Sequence, residues 1–443
     1  MARGRDAQRG PNQRDHQPGC ALPGSGGRGR LARPALCGAA LLPARLVRGA
    51  TRGAAVGKGG FVTVSCKEPP GIAVLYNACH DLIKGEPRDV LADQGIDACA
   101  HAVTEAFQRV GRRVVQLPVH NDVESALDPY PPTEWIVFNL GEGMEGRLFE
   151  EARIAWALEA MGYCFTGSGG NAIARSVHKA RAKALLRAYG VSTPPGWLFR
   201  HPDEVPPQSG VFTYPLIVKP VAEDASIGVG PGAVVHTERA LRERVEYVVG
   251  HYRQAALAEA FVEGREFNIA LWGDPVHVLP LAEIDFSAFD DPYARIVSFA
   301  AKWEVDSFEY HHTPVLCPAQ VDAGMRDHIA GVARQAWEAI GCRGYARVDM
   351  RLGEGDHLYV VEVNCNPDLS PDAGFRRAAT AAGYSYEDMV VYILDVARRH
   401  QDVQHRVGFE HRWADHLASD GDGRCLHLHG SEVRRRALEP VSR

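Results

Sequence analysis

The sequence lacks several features that would assign it to common classes of protein. Its 443 residues contain no apolar run that approaches the roughly 20 residues a membrane-spanning helix needs. The formal net charge is −6, so we expect neither nucleic acid nor an anionic membrane as a partner. The ten cysteines form no CxxC pair and no regular spacing, which predicts reduced thiols in a cytoplasmic protein.

Residues 1–60 have few acidic and no aromatic side chains. They contain ten Arg and one Lys, two Asp, and no Glu, Phe, Tyr or Trp. Such a segment cannot bury enough apolar surface to offset its chain entropy, so we expect a disordered Arg/Gly/Ala-rich arm over 1–68. An organellar transit peptide, a basic interaction arm and a segment outside the working protein all fit this composition. We favour the last, because no Met lies between Met1 and Met144 and translation could start at a valine codon such as Val56.

From Gly71 onward, short apolar runs alternate with helical periodicity. Runs at 71–76, 114–117 and 135–138 predict strands, and helices are predicted at about 96–110 and 148–161. Strand–helix alternation indicates a mostly parallel sheet, so we expect an α/β domain over 69–176. One helix is predicted at about 171–189, followed by a Thr-Pro-Pro-Gly linker at 193–196.

Beyond this linker the pattern changes to paired strands. The strand 216–219 leads into a Gly-rich loop at 223–232, and further short runs follow up to 281. A helix is predicted at about 323–340 and a last one at about 386–399. The runs 348–352 and 358–363 predict an antiparallel pair that turns at 353–356, and 401–443 reads as a polar tail.

The predicted strand pair carries polar residues where apolar ones would be expected. Glu362 and Asn364 share a face, because residues i and i+2 of a strand point the same way. A hairpin partner can bring Asp349 beside them. Three hard oxygen ligands suit Mg²⁺, which takes one or two carboxylates and completes its shell with water and phosphate. The alternative is a solvent-facing polar side of the hairpin.

Three lysines and the Gly-rich loop suggest a phosphate site. Lys219 ends an apolar strand just before the loop, whose backbone N–H groups could approach phosphate oxygens. No GK[ST] is present, so this is not a Walker motif. Lys179 and Lys302 lie elsewhere in the chain, and either one alone is more often a solvated lysine.

The stretch 258–267 has the pattern of a strand, a turn and a strand. Such a turn could place the backbone of residues 260–262 along an adenine edge, and Glu266 could accept hydrogen bonds from ribose hydroxyls. The alternative is an ordinary turn with exposed acids.

In their order along residues 70–400, these motifs resemble the D-alanine–D-alanine ligase branch of the ATP-grasp superfamily. Each piece is a weak signal alone, whereas the ordered set is highly specific. The pieces are Tyr163-Cys164-Phe165-Thr166-Gly167-Ser168-Gly169, Lys179, Ile217-Val218-Lys219-Pro220, Ser226-Ile227-Gly228, 259–266, Lys302-Trp303, Cys317-Pro318-Ala319, Gly344-Tyr345-Ala346-Arg347-Val348-Asp349 and Glu362-Val363-Asn364.

The resemblance implies a fold and an activity. It implies an α/β domain over 69–176, then a two-lobed α+β ATP-grasp fold with a small lobe at 177–262 and a large lobe at 263–400 that holds the metal site. It implies an ADP-forming ligase that joins a small-molecule carboxylate to an amine through an acyl phosphate, with ATP and Mg²⁺ as cofactors. Mn²⁺ in place of Mg²⁺ and a homodimer are compatible with it.

The resemblance also assigns roles to individual residues. Lys179 and Lys219 would contact the ATP phosphates, and Ser226 and its loop would close over them. Lys302 would neutralise the γ-phosphate, and Arg347 would stabilise the tetrahedral intermediate. The remaining assignments are an adenine hinge of Glu259, Ala260, Phe261 and Val262, a ribose contact from Glu266, and a metal site of Asp349, Glu362 and Asn364.

The substrate half departs from the family pattern. The family has a glutamate followed by a serine that grip the first amino acid, whereas 87–94 has neither in place. Asp368 replaces the usual glycine, Trp303 the usual tyrosine and Ala225 the first serine of the phosphate loop. We therefore expect a ligase of specialised metabolism. The alternatives are D-alanine–D-alanine ligase activity for cell-wall precursor synthesis and a non-catalytic ATP-binding regulatory protein. His311 is expected in a loop, about 303–316, that closes over the site.

Overall fold

The computed structural model of the protein describes residues 70–78, 84–120, 122–142, 149–207 and 210–417. The arm predicted at 1–68 lies outside these residues, as does the end of the predicted tail, 418–443. None of the helices in the described ranges is both long enough and apolar enough to cross a membrane.

The first part of the chain forms the predicted parallel sheet. Its strands are β1 (Gly71–Asn77), β2 (Val114–Val119) and β3 (Trp135–Asn139), and β1 lies in the centre with both neighbours parallel to it. All seven residues of β1 are buried, as expected for a parallel strand that is covered on both faces. The helices of this part are α1 (Val90–Arg109), α2 (Val123–Leu127) and α3 (Glu150–Ala160).

The prediction of a single helix at about 171–189 is wrong. The structure has two helices, α4 (Gly170–Val177) and α5 (Lys179–Ala188), separated by His178 in an extended conformation. The imidazole of His178 caps α5 by accepting a hydrogen bond from the backbone N–H of Arg181 at 3.4 Å. The break also lets the N–H of Lys179 donate to the carbonyl of Val221, 2.9 Å away, beside the Gly-rich loop.

A small antiparallel sheet follows, with its own core. Its strands are β4 (Gly196–Phe199), β5 (Leu216–Pro220), β6 (Val234–Val235) and β7 (Ala256–Ala260), in the order β4-β7-β5-β6. Helix α6 (Glu238–Tyr252) covers it, and the side chains of Val218, Val245 and Tyr252 are among those buried between them.

The largest sheet carries the predicted metal site. It contains β8 (Arg265–Trp272), β9 (His277–Val278), β10 (Ala282–Ile284), β11 (Val315–Leu316), β12 (Tyr345–Leu352) and β13 (Leu358–Asn364). The strand order is β11-β10-β8-β12-β13, and β9 pairs with β8. The predicted antiparallel pair is confirmed as β12 and β13. The helices around this sheet are α7 (Phe299–Trp303), α8 (Phe308–His312), α9 (Ala323–Ile340), α10 (Gly374–Ala381) and α11 (Tyr386–Leu417).

Helix α11 is longer than the predicted 386–399. It continues to Leu417, into residues that the composition assigned to a polar tail. Its sequence contains no proline and a single glycine, Gly408, so nothing in the backbone stops the helix. Polar composition alone is a weak predictor of where a helix ends, because polar residues such as Glu, Gln and Arg have good helix propensity.

Two hydrophobic cores run across the domain boundary predicted at residue 176. One joins β1 and α3 to β8, α9 and β12. The other joins β1 and α1 to Trp272, to α10 and to α11. The first sheet and the large sheet therefore share their buried surfaces.

Candidate active site

All the residues predicted for the site line one cavity of about 820 Å³, of a size typical for cofactor and substrate sites. Its walls come from α1, the start of α5, the Gly-rich loop 223–232, the turn between β7 and β8, the strand pair β12–β13, and residues 366–374. The structure thus brings together positions that lie far apart in the sequence. The predicted residues thus lie close together, and the role assigned to each of them stays a prediction.

The strand pair presents the predicted metal ligands on one face. Asp349 lies opposite Glu362, and Arg347 lies opposite Asn364. The Asp349 carboxylate accepts hydrogen bonds from Arg347 Nε at 2.8 Å and from Asn364 Nδ2 at 3.1 Å. Burial alone would lower the pKa of Arg347, but the neighbouring Asp349 raises it, so the guanidinium keeps its charge. Asn268 Nδ2 also donates to Asp349 at 2.8 Å, and it was missed because β8 looked like an ordinary core strand.

The oxygen donors of this face suit Mg²⁺. No group of three His, Cys, Asp or Glu among the residues with defined positions could hold a metal ion. The predicted set instead has two carboxylates and one amide, and Mg²⁺ usually takes one or two carboxylates from a protein. Both carboxylates line the cavity, where Glu362 is paired with Lys179 and Asp349 with Arg347.

Lys179 reaches the same wall from the first turn of α5. Its ammonium forms ion pairs with Glu362 and, at 3.0 Å, with Asp224 of the Gly-rich loop. Burial would lower the pKa of Lys179, but Asp224 and Glu362 raise it. In turn, burial would raise the pKa of Glu362, but Lys179 and Lys219 lower it well below its usual range. Both groups are therefore charged at neutral pH.

Two lysines hold Glu259 in the buried end of β7. Glu259 is 1% exposed, and its carboxylate lies 2.8 Å from the ammonium groups of both Lys183 and Lys219. Burial would raise the pKa of Glu259, but the two lysines lower it. Burial lowers the pKa of Lys183 to about 8 despite this carboxylate. The Glu259 side chain is thus occupied by lysines, which leaves the backbone of 259–262 to serve as the predicted adenine hinge.

Lys183 is a residue that the sequence reasoning missed. Its ammonium also donates to the carbonyl of Val361 at 2.6 Å and so ties α5 to β13. Once Lys179 is placed at the start of α5, the spacing of four residues puts Lys183 on the same helix face. That spacing was the available signal.

Glu266 is held by an arginine that was also missed. Arg351 lies 2.6 Å from the Glu266 carboxylate and is itself buried, with the rings of Phe261 and Phe286 at 5.7 and 5.3 Å. A charged residue in the apolar strand β12 was a usable signal, because a buried cation needs a partner. The predicted ribose contact is therefore fixed in place by an ion pair.

The Gly-rich loop and Lys302 complete this half of the cavity. Ala225 and Ser226 have φ of 54° and 60°, and the Ser226 hydroxyl donates to the carbonyl of Val297 at 2.8 Å. The ammonium of Lys302 has no hydrogen bond or ion pair with any residue of the described ranges, although Asp349, Glu362 and Asp224 attract it electrostatically. Burial and the nearby Arg347 lower the pKa of Lys302. It is therefore a cation that is available to a ligand.

The other half of the cavity is acidic and apolar. Asp368 is exposed there, and its Oδ1 accepts hydrogen bonds from the backbone N–H and the hydroxyl of Ser370 at 2.8 and 2.6 Å. Glu151, on α3, also lines this half, and burial raises its pKa well above the usual range. His311 lines the cavity from helix α8 rather than from a loop, and its part in closure stays a prediction.

Comparison with known proteins finds D-alanine–D-alanine ligases among the relatives of this chain. Residues 186–395 match the protein family described as D-ala D-ala ligase C-terminus. The chain is 33% identical over 273 residues to the uncharacterized protein y4sG of Sinorhizobium fredii, an alignment that covers 61% of this chain and 77% of that protein. It is 33% identical over 253 residues to a D-alanine–D-alanine ligase of Chromohalobacter salexigens, covering 57% of this chain and 75% of that one.

The fold agrees with that of a solved ligase. The crystal structure of D-alanine–D-alanine ligase from Bacillus anthracis, complexed with ATP, superimposes with a TM-score of 0.58 at 18% identity, covering 76% of this chain and 99% of that chain. Fold and site together define an ADP-forming ligase of the ATP-grasp class, which makes carbon–nitrogen bonds. Within that class, the chain belongs to the D-alanine–D-alanine ligase family, and the resemblance inferred from the ordered motifs is confirmed.

Proposed function

We propose that this protein uses ATP to activate a carboxylate as an acyl phosphate and then transfers the acyl group to an amine. The observation that carries the proposal is the convergence of Lys179, Lys302 and Arg347 on the wall of the cavity that also holds Asp349 and Glu362. Phosphoryl transfer is catalysed mainly by positioning and by neutralising charge. A wall of fixed cations and carboxylates supplies both.

The reaction has two steps in this proposal. A carboxylate oxygen attacks the γ-phosphorus, the bond to the β–γ bridging oxygen breaks, and ADP leaves. The amine then attacks the carbonyl carbon, phosphate leaves, and the nitrogen gives up a proton to form the amide. Lys302 neutralises charge on the phosphoryl group during the first step, and Arg347 stabilises the oxyanion during the second.

The remaining residues bind and orient the nucleotide. Lys179 and Lys219 face its phosphates, Ser226 and its loop cover them, the backbone of 259–262 contacts adenine, and Glu266 contacts ribose. Asp349, Glu362 and Asn364 would hold Mg²⁺, or Mn²⁺ in its place, which would supply charge neutralisation at the phosphate oxygens.

We further propose that the substrates differ from two D-alanines and that the product belongs to specialised metabolism. Asp368 supports this, because an exposed carboxylate beside the acceptor would repel the carboxylate of a second amino acid. The alternative is D-alanine–D-alanine ligase activity, which the names of the relatives support. Location in the cytoplasm and a homodimer stay predictions.

ADP release measured over a panel of carboxylates and amines tests the proposal. We expect release that requires both a carboxylate and Mg²⁺, and amide product only when an amine is added. Hydroxylamine should trap the acyl phosphate as a hydroxamate when the amine is left out. The proposal would be overturned if the protein binds nucleotide but releases no ADP with any pair of carboxylate and amine. It would also be overturned if a carboxylate that supports ADP release gives no hydroxamate with hydroxylamine. D-alanyl-D-alanine as the best product would favour the alternative.

A further inference from the structure

Two buried cysteines are in contact beside the proposed metal site. The sulfur atoms of Cys342 and Cys365 lie 3.6 Å apart, within reach of a weak S–H hydrogen bond. Cys342 comes three residues before β12, and Cys365 directly follows the last residue of β13. The pair therefore lies at one end of the hairpin that carries the proposed metal ligands. The proposed reaction uses neither thiol.

The cavity gives a small molecule a path to this pair. Cys365 is among the residues that line the cavity, although only 2% of its surface is exposed. Cys342 belongs to the same hydrophobic core and is in contact with it. A small oxidant in the cavity can thus reach the sulfur of Cys365, and the oxidised sulfur then has a second thiol beside it. A resolving cysteine next to the one that is oxidised first is typical of redox sensors.

We propose that Cys342 and Cys365 are an oxidation site, whose disulfide disables the neighbouring site for metal and nucleotide. The oxidant is a peroxide. The sulfur of Cys365 attacks one peroxide oxygen, the O–O bond breaks, and a sulfenic acid and water are formed. The sulfur of Cys342 then attacks the sulfenic sulfur, the S–O bond breaks, and the hydroxyl leaves with the thiol proton as a second water. The two sulfurs together lose two electrons, which reduce hydrogen peroxide to two waters.

Closing the disulfide moves residues that the proposed metal site needs. An S–S bond is about 2.0 Å long, so the two sulfurs must approach each other by about 1.5 Å. Cys365 lies between Asn364 and Asn366. Asn364 donates to Asp349 at 3.1 Å, and Asn366 accepts from the hydroxyl of Tyr345 at 2.8 Å. Movement of Cys365 therefore shifts the Asn364 amide relative to the carboxylates.

The first part of the test oxidises the full chain with hydrogen peroxide and maps the product by mass spectrometry. Trypsin releases Cys342 in the peptide 335–343 and Cys365 in the peptide 352–376. After the remaining thiols are alkylated, we expect these two peptides to be joined. Saturating Mg-ADP should slow the joining several-fold, because it fills the cavity from which peroxide reaches Cys365.

The second part measures Mg-ADP affinity by calorimetry before and after oxidation. We expect the affinity to fall at least about tenfold, since disturbing the groups that orient metal ligands typically costs 10–100-fold in affinity. Dithiothreitol should restore the affinity, because a disulfide is reducible whereas sulfinic and sulfonic acids are not. This part rests on the proposed function, whereas the peptide map does not.

Two variants separate the pair from oxidation elsewhere in the chain. Cys342→Ala removes a core thiol outside the proposed machinery, so the reduced variant should bind Mg-ADP normally. It cannot close the disulfide, so brief peroxide treatment should neither join the peptides nor change its affinity. Cys317→Ala is the matched control: it removes another free thiol, whose Sγ donates to the carbonyl of Pro280 at 3.6 Å. It should be joined and weakened like the unmodified protein.

The outcomes are distinguishable from failure of the proposed function. Peptides 335–343 and 352–376 that stay unjoined would overturn the oxidation site, and this map needs no variant to fold. A joined product that binds Mg-ADP as tightly as the reduced protein would overturn the switch, as would an equal, reversible loss of affinity in Cys342→Ala. If the reduced, unmodified protein fails to bind Mg-ADP, the proposed function fails, while the map still decides whether the disulfide forms.

Discussion

Nearly every charged side chain in the cavity has a partner of opposite sign. Glu362 pairs with Lys179, Asp349 with Arg347, and Glu266 with Arg351. Removing one member of a buried pair leaves an uncompensated charge, which costs about 3–5 kcal/mol. Alanine variants would therefore mix loss of stability with loss of chemistry. Substitutions that keep the shape of the side chain also remove its charge, but they open no cavity. They are therefore better probes where the partner keeps a second counter-charge, as Lys179 does in Asp224.

The first prediction concerns the proposed metal site. Glu362→Gln should abolish ADP release while the protein stays folded, because the amide keeps the volume but neither neutralises Lys179 nor supplies an anionic ligand. ADP release at ordinary Mg²⁺ is the measurement, with thermal unfolding as the check on folding. Asp356→Asn, in the exposed turn of the same hairpin, is the control and should keep full activity. Full activity of Glu362→Gln would rule out the assigned role.

The second prediction concerns acceptor choice. Asp368→Asn should improve the use of simple α-amino acids relative to amines, because it removes a repulsion of about 1–4 kcal/mol at 4 Å for effective dielectrics of 80 to 20. Asn keeps an oxygen that can accept from Ser370, so the turn should survive. Ratios of kcat/KM for D-alanine and for an amine measure the effect, with Asp368→Gly as the family-like comparison. The idea fails if the unmodified protein makes D-alanyl-D-alanine as fast as any other product.

The acidic residues that interrupt apolar strands were predictable from the residues alone, and Lys179 and Lys302 on helices from the family resemblance, whereas Lys183 and Arg351 were missed. Asp349 and Glu362 stood out because a buried strand rarely carries acids. Lys183 did not, since a lysine on a helix is usually solvated, and only the path of α5 past Val361 shows that it is buried. Nothing in the sequence indicates the role of Asn268, because its hydrogen-bond partner, Asp349, lies far along the chain on β12, the strand that pairs with β8.

At the scale of elements, the break between α4 and α5 determines where Lys179 points. His178 lies in an extended conformation between two helices and caps the second. Burial, followed by the charge of Arg181, lowers the pKa of His178 below its usual value. The native state therefore binds this proton less readily than the unfolded chain does. Stability from this group is full above the unfolded value, near pH 6.5, and is lost as pH falls through the folded value.

The third prediction follows from the lowered pKa of His178 in the folded protein. Between pH 7 and pH 5.5 the unmodified protein should lose more stability than His178→Asn, by up to about 1 kcal/mol, because a protonated imidazole cannot accept the capping hydrogen bond. Asn can cap at either pH. Denaturant unfolding at the two pH values gives the difference. An equal loss in both proteins would show that the imidazole does not act as a pH-dependent cap.

Element types were predictable where periodicity was strong, and their ends were not. The parallel sheet and the β12–β13 pair followed from apolar runs and turn residues. No glycine or proline predicts the break at His178, since the break depends on the hydrogen bond from the N–H of Lys179 to the carbonyl of Val221. The extension of α11 was missed because local composition says little about a helix that nothing interrupts.

At the scale of the whole molecule, residues 71–417 carry the described elements and both shared cores. The fourth prediction is that deleting residues 1–60 leaves thermal stability and ADP release unchanged, because that segment has no aromatic residues and no core periodicity. Deleting 1–78 is the control. It removes the fully buried central strand β1 and should abolish cooperative unfolding. A fall of several degrees in Tm after the shorter deletion would show that the arm packs on the fold.

The core shared by α1 and α11 has a consequence for protein synthesis. Ala100 and Phe107 of α1 are buried in the same cluster as Met389 and Ile393, which come near the end of the described chain. On a ribosome, the first sheet emerges early and can cover the side of α1 that packs on β1 and β2, but the side of α1 that packs on α11 stays uncovered until α11 has been made. At about 5–20 residues per second that delay lasts tens of seconds. The nascent chain therefore exposes the apolar surface of α1 that packs on α11 for most of its translation. We expect chaperones that bind exposed apolar segments to raise the yield of folded protein.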